Sequence, residues 1–574
     1  MDKRWVLKET GDQNTINKLS EELNINKTLA TLLVQRDIHN FEQAKSFFRP
    51  QLSDLHDPFL MKNMDIAVER LETAIKENQK IMIYGDYDVD GTTAVALAYS
   101  FIKKYYKNLT YYIPDRYQEG YGISFKAIDF AAENDYKLII ALDCGIKANE
   151  KVDYANSKNI DFIICDHHLP GEFIPNAVAV LDPKQLDCPY PFKELSGCGV
   201  GFKFIQAFCI KNDIDFKEIH PYLDLVVVSI ASDIVPITGE NRILSYYGLA
   251  LLSSQPRIGL NSIIKITGLE NKHITINDIV FKIGPRINAA GRIESGNSSV
   301  ELLVCENEIY AGEIASLINS YNTTRKDLDR NITLDALKMI EEDATQINKK
   351  TTVLYNEEWS KGVVGIVASR LTDHYYRPTI ILTESNGLAV GSARSVEGFD
   401  LYKAVDACSS LLENFGGHMY AAGLSLRLEN IPTFMEEFEK AVASQITDDQ
   451  LIPQMEIDAL IQLKEITPKF FNILRQFEPF GPGNMTPVFE AKEISDSGQG
   501  KLVGKNNEHL KLSLMEYGEN GELISFPAIG YQQSQFFELT SKQKAFDICF
   551  SIEENEFRGE TNLQIRIRDI KQVG

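Results

Sequence analysis

From about residue 66 the chain alternates between short apolar runs and stretches of helical spacing. KIMIYG (80–85), LTYYIP (109–114), KLIIALD (137–143), DFIICD (161–166) and AVAVLD (177–182) are short and apolar on both faces, and residues 92–106 between the first two form an amphipathic helical pattern. Strands buried on both faces and separated by helices predict a parallel sheet covered on two sides. Residues 1–65 read as helical and partly polar, broken near the end by Pro50 and Pro58. A long helical pattern over 301–345, interrupted only by Gly312, predicts a spacer helix between two lobes. A second α/β unit follows over 346–449, with strands at 351–356, 378–383, 388–395 and 422–428 and helices at 362–375 and 400–415. The turn-rich FEPFGPGN (477–484) introduces short strand-like runs, HLKLSLME (509–516) and FDICFSIEE (546–554), that suit a small β-barrel of the OB type over 450–574.

Length fits this division, since 574 residues exceed one hydrophobic core. With 44% hydrophobic and 24% charged residues, widespread disorder is excluded. No apolar run approaches the roughly 18–20 residues that span a bilayer, and the N-terminus has no apolar signal core. The expectation is a soluble cytoplasmic protein with no membrane association. The eight cysteines are scattered without a CxxC pair and read as reduced residues. A formal net charge of −22 argues against a protein that coats nucleic acid through a generally basic surface, while leaving room for a local basic groove.

Much of the acidity sits at strand ends. YGDYDVDG (84–91) alternates Asp86, Asp88 and Asp90 after a strand, before Gly91 opens a helix. Ligands of α/β sheets bind at the carboxyl ends of strands, and carboxylates grouped there repel one another unless cations compensate. For this motif alone the alternatives are a solvated acidic turn or a calcium loop of the EF-hand type. The calcium loop fails because the twelfth position from Asp86 is Leu97, not Glu. Asp143 ends a second strand, Asp166-His167-His168 ends a third, and Asp233 in ASDIVP (231–236) follows the apolar LDLVVVSI (223–230). In an ideal strand the two histidines would point apart; in a loop both can reach a two-metal centre, or one can face substrate. Asp and His without Cys suit Mn²⁺ or Mg²⁺, with Mn²⁺ favoured by the imidazoles. Two such ions form the usual centre for in-line attack on phosphorus.

GDYDVDG, LDCG, DHH and SDIVP, in that order, resemble the four motifs of the DHH phosphoesterase superfamily, named for the triplet present here as Asp166-His167-His168. The resemblance implies cleavage of phosphoanhydride or phosphodiester bonds with two metals. Asp88, Asp90, Asp143, His167 and His168 would be catalytic. Asp86, Asp88, Asp90, Asp143, His167, His168 and Asp233 would hold metal.

Four further motifs have the chemistry of phosphate binding. YIPDRYQEGYG (112–122) carries Arg116 in a Gly-rich turn after a strand. GPRINAAGR (284–292) places Arg286 and Arg292 around Asn288 and small residues, GSARS (391–395) places Ser392 and Arg394 at a strand end, and FGGHMYAAG (415–423) places His418 in a loop of small residues. Small residues admit an anion to backbone amides, and arginine grips phosphate in a fork. GGHMYAAG is similar to the signature of the DHHA1 domain. YIPDRYQEGYG, GPRINAAGR and WSKGVVGIVASRL (359–371) resemble the RecJ branch of exonucleases. That resemblance implies an N-terminal helical segment at 1–65, a DHH catalytic lobe at 66–300, a connecting helix at 301–345, a DHHA1 lobe at 346–449 and an OB-like nucleic-acid-binding barrel at 450–574. It also implies 5′→3′ removal of nucleotides from single-stranded DNA in recombination and repair. Implied partners are a helicase and a single-strand-binding protein, and the implied state is a monomer. Arg116, Arg286 or Arg292, Asn288, Ser392, Arg394 and His418 would hold the DNA backbone or its 5′-terminal phosphate. One position departs from the pattern: Ser360 stands where such proteins often carry His, so that contact is lost or taken by Lys361. The alternatives are a DHH phosphodiesterase of short oligonucleotides or cyclic dinucleotides, and a catalytically inactive DNA-binding scaffold. Intact carboxylates and histidines weigh against the scaffold, and chain length with the barrel against the short-substrate enzyme.

Overall fold

The computed structural model describes residues 3–517, 522–542, 544–557 and 559–573. They fall into two compact units. His56–Val235 and Gly239–Pro453 belong to the larger; Arg4–Leu55, Pro236–Thr238 and Gln454–Gly574 form the smaller.

In the larger unit a five-stranded sheet is built from β1 (Lys80–Gly85), β2 (Leu109–Tyr112), β3 (Tyr136–Leu142), β4 (Asp161–Cys165) and β5 (Ala179–Leu181). Its spatial order is β2-β1-β3-β4-β5, with every neighbouring pair parallel. Both faces are buried, as the unbroken apolar runs require. Met82, Tyr84, Ile139, Ala141, Phe162 and Ile164 join one cluster with Ile128 and Val152. The intervening Ile81, Ile83, Leu138, Ile140 and Ile163 are fully buried on the opposite face, which α1 (Val89–Tyr105) and α2 (Gly197–Lys211) cover. Each such side chain contributes about 1.5–3 kcal/mol by leaving water. The register puts Gly85 beside Leu142, Leu142 beside Cys165 and Cys165 beside Leu181. Asp86, Asp143, Asp166 and Asp182 are each the next residue, so four carboxyl groups emerge in line at the carboxyl edge of the sheet.

The apolar run before Asp233 is helix α3 (Leu223–Ser232), with Asp233 as its C-cap. Helix α4 (Gly284–Ile293) follows a single wider turn over Ile279–Ile283. The amides of GPRINAAGR are therefore largely spent within a helix, contrary to the expectation of an anion-binding backbone there. Its small residues permit close packing instead: a Cβ on Gly291 would lie 2.7 Å from the Tyr87 carbonyl oxygen. The expected spacer over 301–345 is α5 (Glu308–Glu342), which starts late because the Asn307 side chain caps it by accepting from the Tyr310 amide. A separate short helix, Asn297–Leu303, precedes it.

The second lobe carries β6 (Thr352–Tyr355), α6 (Val364–Tyr375), β7 (Thr379–Ser385), β8 (Leu388–Arg394), β9 (Leu412–His418) and β10 (Ala421–Arg427). The sheet order is β9-β10-β8-β7-β6, and only β6 and β7 run parallel. Helix α5 packs on α6 through Ile332, Ala336 and Ile340 against Val363, Val367 and Trp359. The helix expected over 400–415 is confined to Leu401–Asp406. Residues 412–418 instead form β9, pairing with β10, and this hairpin pairing overrides the local helical spacing. His418 accordingly ends a strand opposite Ala421 and does not lie in an open loop.

In the smaller unit five strands close on themselves. β11 (Phe489–Asp496) pairs with β14 (Phe546–Phe557), β14 with β15 (Glu560–Gln572), β15 with β13 (Leu523–Gly530), β13 with β12 (His509–Tyr517), and β12 returns to β11 at Leu514–Asp496. Closure gives the OB-type barrel. Its core of Phe489, Leu512, Phe546 and Phe550 is continuous with Leu19, Leu29, Leu32 and Leu33 of the N-terminal helices. Arg4–Leu7 adds a parallel strand to Gln454–Ile457. The N-terminal helices thus pack with the barrel and do not stand as a separate segment through residue 65.

Candidate metal centre and anion cradle

Strand ends and two helix ends bring the acidic residues together. Asp86 follows β1 and is fully buried, with neither carboxylate oxygen hydrogen-bonded. Asp88 caps α1, accepting from the Gly91 amide at 3.0 Å. Gly91 has to be glycine, because a Cβ would stand 2.4 Å from the Asp86 carbonyl oxygen. Asp90 accepts from the Gly197 and Cys198 amides, both at 2.7 Å, and from the Ser229 hydroxyl at 2.6 Å. Asp143 has φ of 60°, the left-handed region, and this turns its carboxyl group out of the strand direction. His167 Nε2 lies 3.3 Å from Asp143 Oδ1, 3.5 Å from Asp233 Oδ2 and 3.7 Å from Asp90 Oδ2. Asp166 accepts from the Ile146 amide at 2.8 Å, the His167 amide at 2.7 Å and His168 Nδ1 at 2.7 Å. His168 Nε2 then meets the Tyr121 hydroxyl at 3.1 Å. The two histidines point differently, and both remain at the site.

The electrostatics are those of a centre built for cations. Burial, then the neighbouring Asp88, holds the Asp86 carboxyl far above the usual range. Burial followed by Asp90 raises Asp88 and raises Asp143 further still. Burial with Asp90 and Asp88 pushes Asp233 up to about 8. Burial lowers His167. For His168, burial is outweighed by the hydrogen bond and charge of Asp166, which push it up to about 9. Asp166 falls reciprocally to about 2, His168 overcoming the burial penalty. Two sets of donor atoms, Asp90–His167–Asp233 and Asp143–His167–His168, each lie within 4.8 Å of one another. Asp86 Oδ1 and Oδ2, Asp143 Oδ1 and both His167 nitrogens are buried without hydrogen-bond partners. Orphaned buried carboxylate oxygens cost free energy unless something else binds them, and hard oxygens with imidazole fit divalent Mn²⁺ or Mg²⁺.

Cations gather beside these acids. Arg116 lies over the Tyr87 ring at 5.0 Å. Arg292 donates to the Gly362 carbonyl at 2.8 Å, joining the lobes. Burial, then Arg116, Arg325 and Arg394, brings its guanidinium down to about 10. Arg394 donates to Ser392 Oγ at 2.7 Å and, from the second lobe, is close enough to Arg292 to oppose its charge. The charges of Arg394 and His168, after burial, lower His418, so the second lobe faces the DHH triplet. Arg286 is set apart, bonded to Asn319 Oδ1 at 2.9 Å and the Lys282 carbonyl at 2.6 Å. A cavity of about 190 Å³ is lined by Asn288, Arg292, Arg325, Ser232 and Val89. Sequence reasoning missed Arg325 and the Ser196–Ser229–Gly197 support of Asp90, which lie in no acidic or glycine-arginine motif, and it missed Tyr121, which lies within YIPDRYQEGYG, where only Arg116 was singled out. It also passed over Asp182, which is fully buried and which burial pushes up to about 7.

The DHH family N-terminal domain matches residues 80–230, the DHHA1 domain residues 348–444 and the RecJ OB domain residues 457–569. Over 570 residues the chain is 34% identical to the single-stranded-DNA-specific exonuclease RecJ of Bacillus subtilis (strain 168), covering 99% of this chain and 70% of that protein. It belongs to the RecJ family. RecJ of Haemophilus influenzae, also named a single-stranded-DNA-specific exonuclease, is 31% identical over 543 residues, covering 91% of this chain and 93% of that one. The crystal structure of RecJ in complex with Mn²⁺ from Thermus thermophilus shares the fold with a TM-score of 0.85 at 22% identity, covering 100% of this chain and 80% of that chain. The RecJ arrangement of DHH lobe, DHHA1 lobe and OB domain accounts for the order of elements seen here. No helix among the described residues is long and apolar enough to cross a membrane.

Proposed function

We propose that this chain is a metal-dependent exodeoxyribonuclease that hydrolyses phosphodiester bonds of single-stranded DNA from an end. The observation that carries this reading is the set of buried, unpartnered carboxylate and imidazole atoms at adjacent strand ends, opposite cations from a second lobe. Asp86, Asp88, Asp90, Asp143, His167 and Asp233 would hold two divalent ions, Mn²⁺ or Mg²⁺, with His167 common to both donor sets. Such ions supply an activated water and neutralise charge on the attacked phosphate. Asp90 is fixed by two amides and a hydroxyl, so its free lone pairs stay aimed at the centre. His168 is the exception among the expected ligands. Its Nδ1 is held by Asp166 and its Nε2 lies beside the Tyr121 hydroxyl, and with the imidazole pushed up to about 9 by Asp166 its Nε2 proton would serve a phosphoryl oxygen of the substrate. Arg292, Arg394 and Ser392 would grip phosphate, with His418 beside them and Asn288 in the adjoining cavity. Arg286 is spent on Asn319 and Lys282 and would lie outside the grip.

The barrel would hold longer strands through its surface, as OB folds do. Membership of the family supports 5′→3′ polarity, a place in recombination and repair in the cytoplasm, action as a monomer, and a helicase and a single-strand-binding protein as partners. The test is digestion of end-labelled single- and double-stranded DNA with Mn²⁺, Mg²⁺ or EDTA. Loss of label from single strands only, abolished by EDTA, is the expected result. Unchanged hydrolysis in EDTA, or equal attack on a closed single-stranded circle, overturns it.

A further inference from the structure

Ile234 directly follows Asp233, and its backbone lies in the left-handed region, with φ of 60°. Asp233 caps the end of α3, so residue 234 occupies the position after a helix cap, where glycine or asparagine is usual. Among the described residues, the other non-glycine residues with positive φ are Asn, Asp, Glu, Gln and Tyr, and Ile234 is the one that is β-branched. A branched Cβ crowds the backbone there, and strain of this kind is kept where function uses it. Burial does not account for it. Val235 and Ile237 are buried, whereas Ile234 is 63% exposed.

The residue is held beside the metal centre without supplying a ligand to it. Asp233 Oδ2 lies 3.5 Å from His167 Nε2, and Ser232 lines the cavity shared with Asn288 and Arg292. Leu169, the residue after His168, is likewise apolar and 67% exposed. Two residues that directly follow members of the acid and imidazole set thus present hydrocarbon to solvent, next to a site otherwise made of carboxylates, imidazoles and guanidinium groups. A β-branched side chain is stiff at χ1, so Ile234 offers a surface of fixed shape.

We propose that Ile234 is a specificity-determining residue, whose side chain forms an apolar wall against the sugar next to the scissile phosphate and so favours deoxyribose over ribose. The inference rests on the reading of the chain as a single-strand exonuclease and assigns the choice of sugar to one residue. Consecutive Cα atoms are about 3.8 Å apart, so residue 234 stands as near the attacked phosphate as a chain neighbour of Asp233 can. The groups bonded directly to that phosphate are its two sugars, and the bases lie further out. Deoxyribose presents a methylene at C2′, which hydrocarbon accepts. Ribose presents the hydroxyl by which proteins tell RNA from DNA. Against Ile234 that hydroxyl would lose its water and gain no hydrogen-bond partner in return.

The test measures kcat/KM of the full chain with Mn²⁺ on an oligodeoxythymidylate and on the same strand carrying ribothymidine in the two terminal positions of each end. Melting temperature in EDTA is measured alongside. The wild-type chain should prefer the all-deoxy strand by about 10-fold or more, as a hydrophobic wall does against an added hydroxyl. Ile234→Gly removes the wall, and Ile234→Asn makes it polar; each should bring the two substrates within about 3-fold of one another. Ile234→Asn should melt no lower than the wild type, because asparagine takes the left-handed conformation more readily. Variants that melt lower and keep the sugar preference make Ile234 a structural residue and overturn the proposal. Loss of rate by one factor on both strands also overturns it, by making Ile234 a support for Asp233. A wild-type chain that cleaves both strands equally overturns the choice of sugar and leaves the exonuclease reading standing, whereas one that cleaves neither defeats that reading.

Discussion

Gly197 stands against Asp143 so closely that a Cβ on it would lie 2.5 Å from Asp143 Oδ1. The same Gly197 amide holds Asp90 at 2.7 Å. One residue at the start of α2 therefore sets the spacing of two acids, one in the first turn of α1 and one at the end of β3. Gly197→Ala should displace Asp143 and lower turnover by about 10²-fold, the usual consequence of an ångström-scale misplacement. Calorimetric titration with Mn²⁺ should show weaker binding in parallel. Wild-type affinity and rate in a folded Gly197→Ala protein would show that the close approach is dispensable.

Buried acids that repel one another weaken the metal-free protein. Asp86, Asp88, Asp143 and Asp233 all bind their protons more tightly folded than unfolded. Their contribution to stability is fullest below about pH 4, where both states are protonated, and is lost as pH rises through the folded values, about 8 for Asp233. Asp143→Asn should raise the melting temperature of the metal-free protein at pH 8 by about 2–4 °C while reducing turnover by at least about 10³-fold. Scanning calorimetry in EDTA at pH 5 and pH 8 checks the sign, and a lower melting temperature in the variant would contradict it.

Metal binding should show the same linkage from the other side. Binding must expel the protons held by Asp143 and Asp233, so Mn²⁺ affinity should climb with pH at least up to about 8, the value to which Asp233 is pushed. Titrations in buffers of different ionisation enthalpy count the protons released. A pH-independent affinity with no release would count against these carboxylates as ligands.

The Asp166–His168 pair offers a separate handle. Asp166→Asn removes the charge that lifts His168 to about 9, so the imidazole should titrate at or below the ordinary value near 6.5. The alkaline limb of the rate profile should move from near pH 9 toward neutrality, and turnover at pH 8 should fall about 10²-fold. Nuclear magnetic resonance of the imidazole follows the titration directly; an unmoved limb would remove His168 from proton donation.

A chain ending at Pro453 should not be a simple catalytic fragment. Leu19, Leu29, Leu32 and Leu33 share a core with Leu463, Phe470 and Phe489, so removing the tail strips those helices of their partners. Such a chain should expose apolar surface and bind a hydrophobic dye, whereas one lacking residues 4–55 as well should bind less. Equal dye binding by both would mean that the N-terminal helices find another cover.

The legible part of the molecule was the part written in contiguous residues. An apolar run that ends in Asp announces both a strand and what stands at its tip, and Asp86, Asp143 and Asp166 could be placed in line before any coordinate was known. Asp182 ends a run of the same kind and could have been read the same way. What could not be read was assembled from distant pieces. Nothing local marks Gly197, Ser196 and Ser229 as the seat of Asp90, since each is an ordinary helix residue until α2 and α3 meet α1. Arg325 is one polar residue in a long helix, and only packing turns it toward the cavity beside Arg292. Residues 412–415 fall within the helical pattern read over 400–415, yet with 416–418 they become a strand because β10 offers hydrogen bonds that a helix there would forgo. The glycines of GPRINAAGR misled for a related reason: a small residue admits an anion or another backbone equally well, and Tyr87 takes the place at Gly291.

Pro236–Thr238, three residues between the end of the Asp233 turn and Gly239, belong to the smaller unit, where the Ile237 amide donates to the Pro482 carbonyl at 2.7 Å. The polypeptide therefore leaves the catalytic unit and returns to it in mid-sequence, and the smaller unit is made of three separate stretches of this sequence. No single breakpoint in the coding sequence can lift out either unit whole. A recombination event or an engineered fusion that treats the barrel as a detachable cassette leaves behind its N-terminal helices and this three-residue stitch.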